Sequence, residues 1–218
     1  MTHVERAQQY FAEELAYIQS PDIRAFVLSV FEKFGHEFFW LRPASLTGKY
    51  HPQVSLGQAG LVRHVKLGCY WGREFNRALL MGAKDKGNGK YGDVIQAALI
   101  LHDLMKEGDP KKAGDPERMG NGGRTLITGC HGVDLANAIW TELLGGKGTD
   151  WQILICYGIA CHMGIWTLPN DYIPQSIPGD LARSIATVVH LADYAASRKV
   201  DDFTEALWKV LPMVPAAA

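Results

Sequence analysis

No stretch of this chain approaches the roughly 20 consecutive apolar residues that a membrane-spanning helix needs, so an integral α-helical membrane protein is excluded. The first twenty residues, MTHVERAQQYFAEELAYIQS, lack the basic start and apolar block of a signal peptide. A cytoplasmic location is the expectation. Cysteine is scarce: Cys69, Cys130, Cys156 and Cys161 show no Cys-x-x-Cys spacing, which argues against a zinc ribbon or a dithiol redox motif. Reduced, buried thiols are expected instead. Charge of one sign is also missing. With 22 basic and 23 acidic residues the formal net charge is −1, so no global basic field favours general nucleic-acid coating, although a local basic patch stays open. Sustained apolar/polar alternation is absent, hairpin pairs are absent, and no internal repeat is found.

What remains is a helical pattern, in 218 residues of which 47% are apolar and 21% charged, an ordinary balance for a globular core. Val4, Ala7, Tyr10, Phe11, Leu15 and Ile18 fall near helical period and predict a helix over 3–19. Ser20-Pro21-Asp22 reads as N-cap, first helical residue and favourable first-turn acid of a second helix through Phe34. These form an expected N-terminal helical pair, residues 1–41, packed on a main domain over 42–211. Residues 42–60 are rich in Pro, Gly, Ser and Gln and read as loop. Helices are expected over 61–81, from an Asp93 cap through DVIQAALILHDLMK, and over 129–144, 150–163 and 180–198, with Thr149 and Gln152 as a capping box. The Gly- and Pro-bearing stretch 107–127 is a long loop of the kind that is usually functional or mobile. A last short helix over 202–211 would lead into a fraying tail, 212–218. The expected fold is an all-α helical bundle.

The chemically informative unit is LILHDL, where His102 and Asp103 adjoin in an otherwise apolar segment. Each unpaired polar group buried there costs about 1–3 kcal/mol, and an isolated charge far more. A divalent cation would satisfy both side chains, since imidazole donates a neutral nitrogen and carboxylate donates charge. An internal salt bridge or a satisfied core histidine is the alternative reading. His64 (GLVRHVK), His131 (TGCHGVD), His162 (YGIACHMG) and Asp193 (HLADYAAS) also fall at apolar helix positions, which makes separate structural explanations less economical.

In order and local context, these residues resemble the HD superfamily of metal-dependent phosphohydrolases. His64, then His102-Asp103, then Asp193 is similar to that family's H…HD…D signature, over roughly residues 42–199. GLVRHVK resembles the entry to its first ligand helix, ILHDLMKEG its LHDIGK core and HLADYAASR its final helix. PASLTGKYHP is similar to a segment of 3′–5′ exoribonuclease-like members. The resemblance implies an HD-domain bundle in which His64, His102, Asp103 and Asp193 are primary metal ligands. It further implies that His131 and His162 serve a second ion, with Asp103 bridging the two. Met163 stands where the family often has a second histidine, which weakens one second-metal or substrate contact.

The implied cofactor is one or two divalent ions of Mn, Fe, Ni, Co, Zn or Mg, and the implied reaction is cleavage of a phosphoester or phosphoanhydride by metal-activated water. Nucleotides or nucleic-acid ends are the expected substrates, with Asp103 and Lys106 catalytic. Lys106 matches the lysine of HDxGK, with Met105 in place of the glycine, and would meet substrate phosphate as a point charge. Arg124 with Lys111, Lys112 and Arg118 would gather phosphates over a lid; Ser45, Lys49 and His51 would line an entrance. Arg198, beside Ser197 one turn past Asp193, would face substrate, and Trp166 or Tyr172 would stack on a base. A solvated charged loop, a helix-end cation favoured by the dipole and a loop-anchoring aromatic are the competing readings for these. Two other functions use the same signature: a di-iron oxygenase with the same ligand set, and a non-catalytic ligand-binding module. No membrane partner is expected, and a homo-oligomer is allowed.

Overall fold

The computed structural model describes residues 1–45, 48–80, 90–106, 130–167 and 170–199. Among them are nine α-helices and no strand, as the missing alternation predicts. The expected helix over 3–19 is divided at Phe11 into α1 (His3–Tyr10) and α2 (Ala12–Tyr17). Phe11 leaves helical geometry, with φ −110° and ψ 27°, and its fully buried ring packs among Phe31, Phe39 and Trp40. α3 (Pro21–Phe34) starts where the sequence places it, with Ser20 Oγ accepting from the Ile23 amide. A short α4 (Glu37–Leu41), which periodicity does not reveal, buries Phe38, Phe39 and Trp40.

α5 (Gly60–Phe75) follows the expected loop and continues into a π-helical stretch, Asn76–Leu80. α6 (Lys90–Leu101) starts three residues before Asp93, so Asp93 does not cap it. Instead the buried Asp93 carboxylate accepts from the Gln19 and Ser20 amides at 3.0 and 2.8 Å and fastens the corner between α2 and α3. α6 also ends earlier than its apolar pattern suggests: residues 102–106 form turns, with Leu104 N bonded to Leu101 O and Lys106 N to Asp103 O. α7 (His131–Ala138) loosens into a π stretch, Ile139–Leu143, in place of one regular helix to 144. α8 (Asp150–Cys161) carries the expected Thr149–Gln152 contact, amide to Oε1 at 2.8 Å. α9 (Asp180–Ala196) is the last described helix. The expected helix over 202–211 and the tail lie outside the described residues.

The centre is a crossing of helices. α9 packs on α5, α6 and α8; α6 packs on α5 and α8; α7 packs on α8. α5 and α6 approach closely at Gly72, where a Cβ would come within 2.1 Å of Leu99 Cδ1. α3 lies on α1 and α6, α2 on α6 and α4 on α5, so one apolar cluster runs from Ala7 to Ala192. All four cysteines are free thiols, and Cys69, Cys130 and Cys161 are buried. No described helix is long and apolar enough to cross a membrane.

Candidate metal centre

Five helices and the turns at their ends deliver six polar side chains to one point. α5 supplies His64 and the turn after α6 supplies His102 and Asp103. His131 is the first residue of α7, His162 caps the C-terminus of α8, and Asp193 comes from the last turns of α9. The His64 and His102 side chains are fully buried, Asp103 is 1% exposed and His162 is 2% exposed. This polar knot has little access to water, so its members must satisfy one another or share a ligand.

They form two groups, His64 with His102 and Asp193, and Asp103 with His131 and His162, the donor atoms of each lying within 4.8 Å of one another. Asp193 Oδ1 lies 2.9 Å from His64 Nε2 and 3.4 Å from His102 Nε2. Asp103 Oδ1 lies 2.8 Å from His131 Nε2 and 3.7 Å from His162 Nε2. Its other oxygen, Oδ2, faces the first group, 3.4 Å from His64 Nε2 and 3.5 Å from His102 Nε2. Donors about 2.1 Å from a common ion stand about 3.0 Å apart at octahedral and 3.4 Å at tetrahedral angles. The Asp193 distances, 2.9 and 3.4 Å, match that spacing, and the Asp103 Oδ1 distances, 2.8 and 3.7 Å, bracket it.

The backbone sets the imidazoles for this use. His102 Nδ1 donates to the Leu99 carbonyl at 2.7 Å and His162 Nδ1 to the Ile159 carbonyl at 2.8 Å. With a proton held at Nδ1, the inward Nε2 is the atom left to take a metal ion or a second proton. His102 Nε2 is buried with no hydrogen-bond partner among the described residues, and so is His64 Nδ1. The donor set and its orphaned nitrogen fit a divalent cation.

Charge in the cluster is balanced only through a buried proton. Burial opposes ionisation of Asp103, yet Lys106 and His102 hold its carboxyl well below the usual carboxylate range. His102 and His64 do the same for Asp193 against its own burial. Burial likewise opposes a proton on His102, but the Asp103 and Asp193 carboxylates outweigh it and raise its pKa to about 10. For His162, burial and the imidazoles of His131 and His102 act together and push the pKa down to about 3. Two buried anions therefore face one lysine and one imidazole that they force to stay charged.

A cavity of about 460 Å³ opens onto the centre, with His131, His162 and Asp193 on its inner wall. His51, Lys106, Trp166 and Arg198, all expected near substrate, line it as well. Lys106 Nζ reaches Asp103 Oδ2 at 2.7 Å. Burial and the neighbouring His64 and Lys106 lower His51 to about 3, so it faces the cavity as a neutral imidazole. Lys49 is not in the cavity wall; its ammonium lies 4.9 Å from the Tyr50 ring. Ser45 Oγ accepts from the Gly48 amide in its own turn. Tyr172 packs against the apolar core rather than the cavity. Arg124, Lys111, Lys112 and Arg118 lie outside the described residues.

Tyr50, His190 and Tyr194, which the sequence does not single out, also line the cavity. Their signal was present for two of the three: positions 190, 193, 194 and 197 share one face of α9 by helical spacing. Comparison with family models, with curated proteins and with solved structures returns no match.

Proposed function

We propose that the protein is a metal-dependent phosphohydrolase cleaving a phosphoester or phosphoanhydride of a nucleotide or a nucleic-acid end. The observation that carries this reading is the position of Asp103, one carboxylate oxygen turned to each histidine group beside a cavity of about 460 Å³. His64, His102 and Asp193 would hold one divalent ion, His131 and His162 a second, and Asp103 would contact both. The order of these residues, which resembles the HD superfamily, supports the assignment. Ions so held supply Lewis acidity toward a phosphoryl oxygen and activate water for attack.

The chain's own groups do the rest. Lys106, tied to Asp103, presents its ammonium at the cavity wall, where it neutralises a phosphoryl oxygen as a point charge. His51, uncharged at neutral pH, offers one nitrogen to the cavity; its Nε2 lies 3.4 Å from Ser197 Oγ. Leu99 and Ile159 carbonyls keep His102 and His162 in one tautomer throughout.

The test is a hydrolysis panel on Mn²⁺-loaded protein covering nucleoside mono- and triphosphates, cyclic dinucleotides and short RNA. Turnover of at least one, abolished by chelation and by His102→Ala, is expected. Failure on all of them overturns the reading, and an iron pair that consumes oxygen moves the protein to the oxygenases.

A further inference from the structure

The cavity has an outer end whose chemistry differs from that of the metal centre. Trp166, Tyr194 and Tyr50 line it although 54%, 40% and 53% exposed. Large aromatic rings clustered in water at the mouth of a cavity are a recurrent mark of a binding surface. These rings are ordered with respect to one another. Trp166 lies parallel to Tyr194, 3° between planes and 6.1 Å between centroids. The Arg198 guanidinium sits 4.0 Å from the Tyr194 ring centre and 5.1 Å from that of Tyr50.

Backbone geometry fixes the arrangement. His190, one turn before Asp193 and Tyr194, donates from Nδ1 to the His162 carbonyl at 2.8 Å and so joins α9 to the end of α8. Gly164, at φ 58°, lies directly on the His190 ring, where a Cβ would come within 2.2 Å. The short turn Gly164–Trp166 is thereby pressed onto α9, and Trp166 is delivered over Tyr194. A guanidinium held against aromatic rings still carries a planar fork of N–H donors, which suits a bidentate anion. Among the described residues no carboxylate forms an ion pair with it. Arg198 follows Ser197, the C-cap of α9, and its guanidinium rests on the Tyr194 and Tyr50 rings and forms no ion pair with Asp103 or Asp193. It can therefore meet a second anion besides the one that Lys106 faces.

We propose that Trp166, Tyr194 and Arg198 form a specificity subsite that takes a nucleobase flat against the Trp166–Tyr194 stack and a second phosphate on the Arg198 guanidinium. The preferred ligand is then a nucleoside carrying phosphoryl groups at two separate positions, whether a free bisphosphate or two linked nucleotides. This deepens the phosphohydrolase reading and rests on it for the position of the first phosphate.

The experiment compares binding, by calorimetry on the Mn²⁺-loaded full chain, of adenosine 3′,5′-bisphosphate, a diadenylate, AMP and ribose 5-phosphate, with KM and kcat for any that turn over. AMP is expected to bind about tenfold tighter than ribose 5-phosphate, within what base stacking supplies. One of the two-phosphate ligands is expected to gain about another tenfold, within the range of charge-assisted contacts, and which one gains distinguishes the two sources. Trp166→Ala, a change at an exposed loop position, erases the first difference. Arg198→Ala erases the second, and Arg198→Lys restores it only in part. Equal binding of all four ligands, or an equal loss for all four in both variants, overturns the subsite. If the order of affinities holds and nothing is hydrolysed, the subsite stands and the hydrolase reading falls. If all four are hydrolysed with equal KM, the hydrolase reading stands and the subsite falls.

Discussion

Helix α5 carries two buried charged clusters side by side, and they are satisfied in opposite ways. Lys66, 3% exposed, bonds Glu14 Oε2 at 2.7 Å and the Tyr10 carbonyl at 2.9 Å, with its ammonium 5.7 Å from the Phe11 ring. One positive charge meets one negative charge against an aromatic wall. Two residues earlier, His64 turns to a cluster with two carboxylates, an orphaned imidazole nitrogen and an open cavity. Burial of charge is therefore not what marks a site, since both clusters are buried. The mark is a pair of buried carboxylates balanced only by a lysine and by a proton held on a buried imidazole, placed where a ligand can enter.

The largest way to sharpen that contrast is Glu14→Ala, which strands the Lys66 charge. It should destabilise the fold by about 3–5 kcal/mol, whereas replacing both partners by apolar residues should cost far less. Chemical denaturation reads the loss, and metal content of the folded fraction should not change. At the other cluster, Asp103→Asn removes the one carboxylate turned to both histidine groups. Activity should fall about 100-fold or more together with metal content, exceeding what outer ligand partners contribute. A variant that keeps its metal and its rate breaks the contrast. Lys106→Met should leave metal bound and lower kcat/KM about tenfold, or about 1.4 kcal/mol in barrier. A fall in metal content instead would make Lys106 a partner of Asp103 alone.

The smallest expected effect is a pH dependence. Asp103 and Asp193 are held below the ordinary carboxylate range, so their stabilisation is present above about pH 4 and lost as pH falls through the lowered values. His102 is raised to about 10, so its contribution is complete below the unfolded value of about 6.5 and is lost as pH rises toward the folded one. A divalent cation competes with that same proton. The gain in Tm from Mn²⁺ over chelator-treated protein should therefore grow across the alkaline side of neutrality. A gain that shrinks there would show that His102 is not displaced.

How much of this was legible beforehand depended on the kind of signal. The α3 start and the Thr149–Gln152 box were readable because capping is local chemistry written in three or four residues. His102 and Asp103 stood out because polar residues inside LILHDL violate the apolar pattern around them. Asp93 misled: an acid near a helix start looks like that helix's cap, and only tertiary packing brings it to the amides of Gln19 and Ser20. The end of α6 at Leu101 was hidden in the same way, since Leu104 and Met105 are buried and continue the apolar run after the helix has stopped. α4 was missed because five residues are too few to show a period. Tyr194 is inconspicuous beside Asp193 in the sequence, yet it shares the cavity-facing side of α9 with His190 and Ser197.

The most direct test of the central claim is a crystal structure of protein grown with Mn²⁺, with diffraction recorded on both sides of the manganese absorption edge. Anomalous density should lie among His64 Nε2, His102 Nε2 and the nearest oxygens of Asp103 and Asp193, with ligand distances near 2.1 Å. Density elsewhere on the chain, or these four side chains turned away from one another, would contradict it.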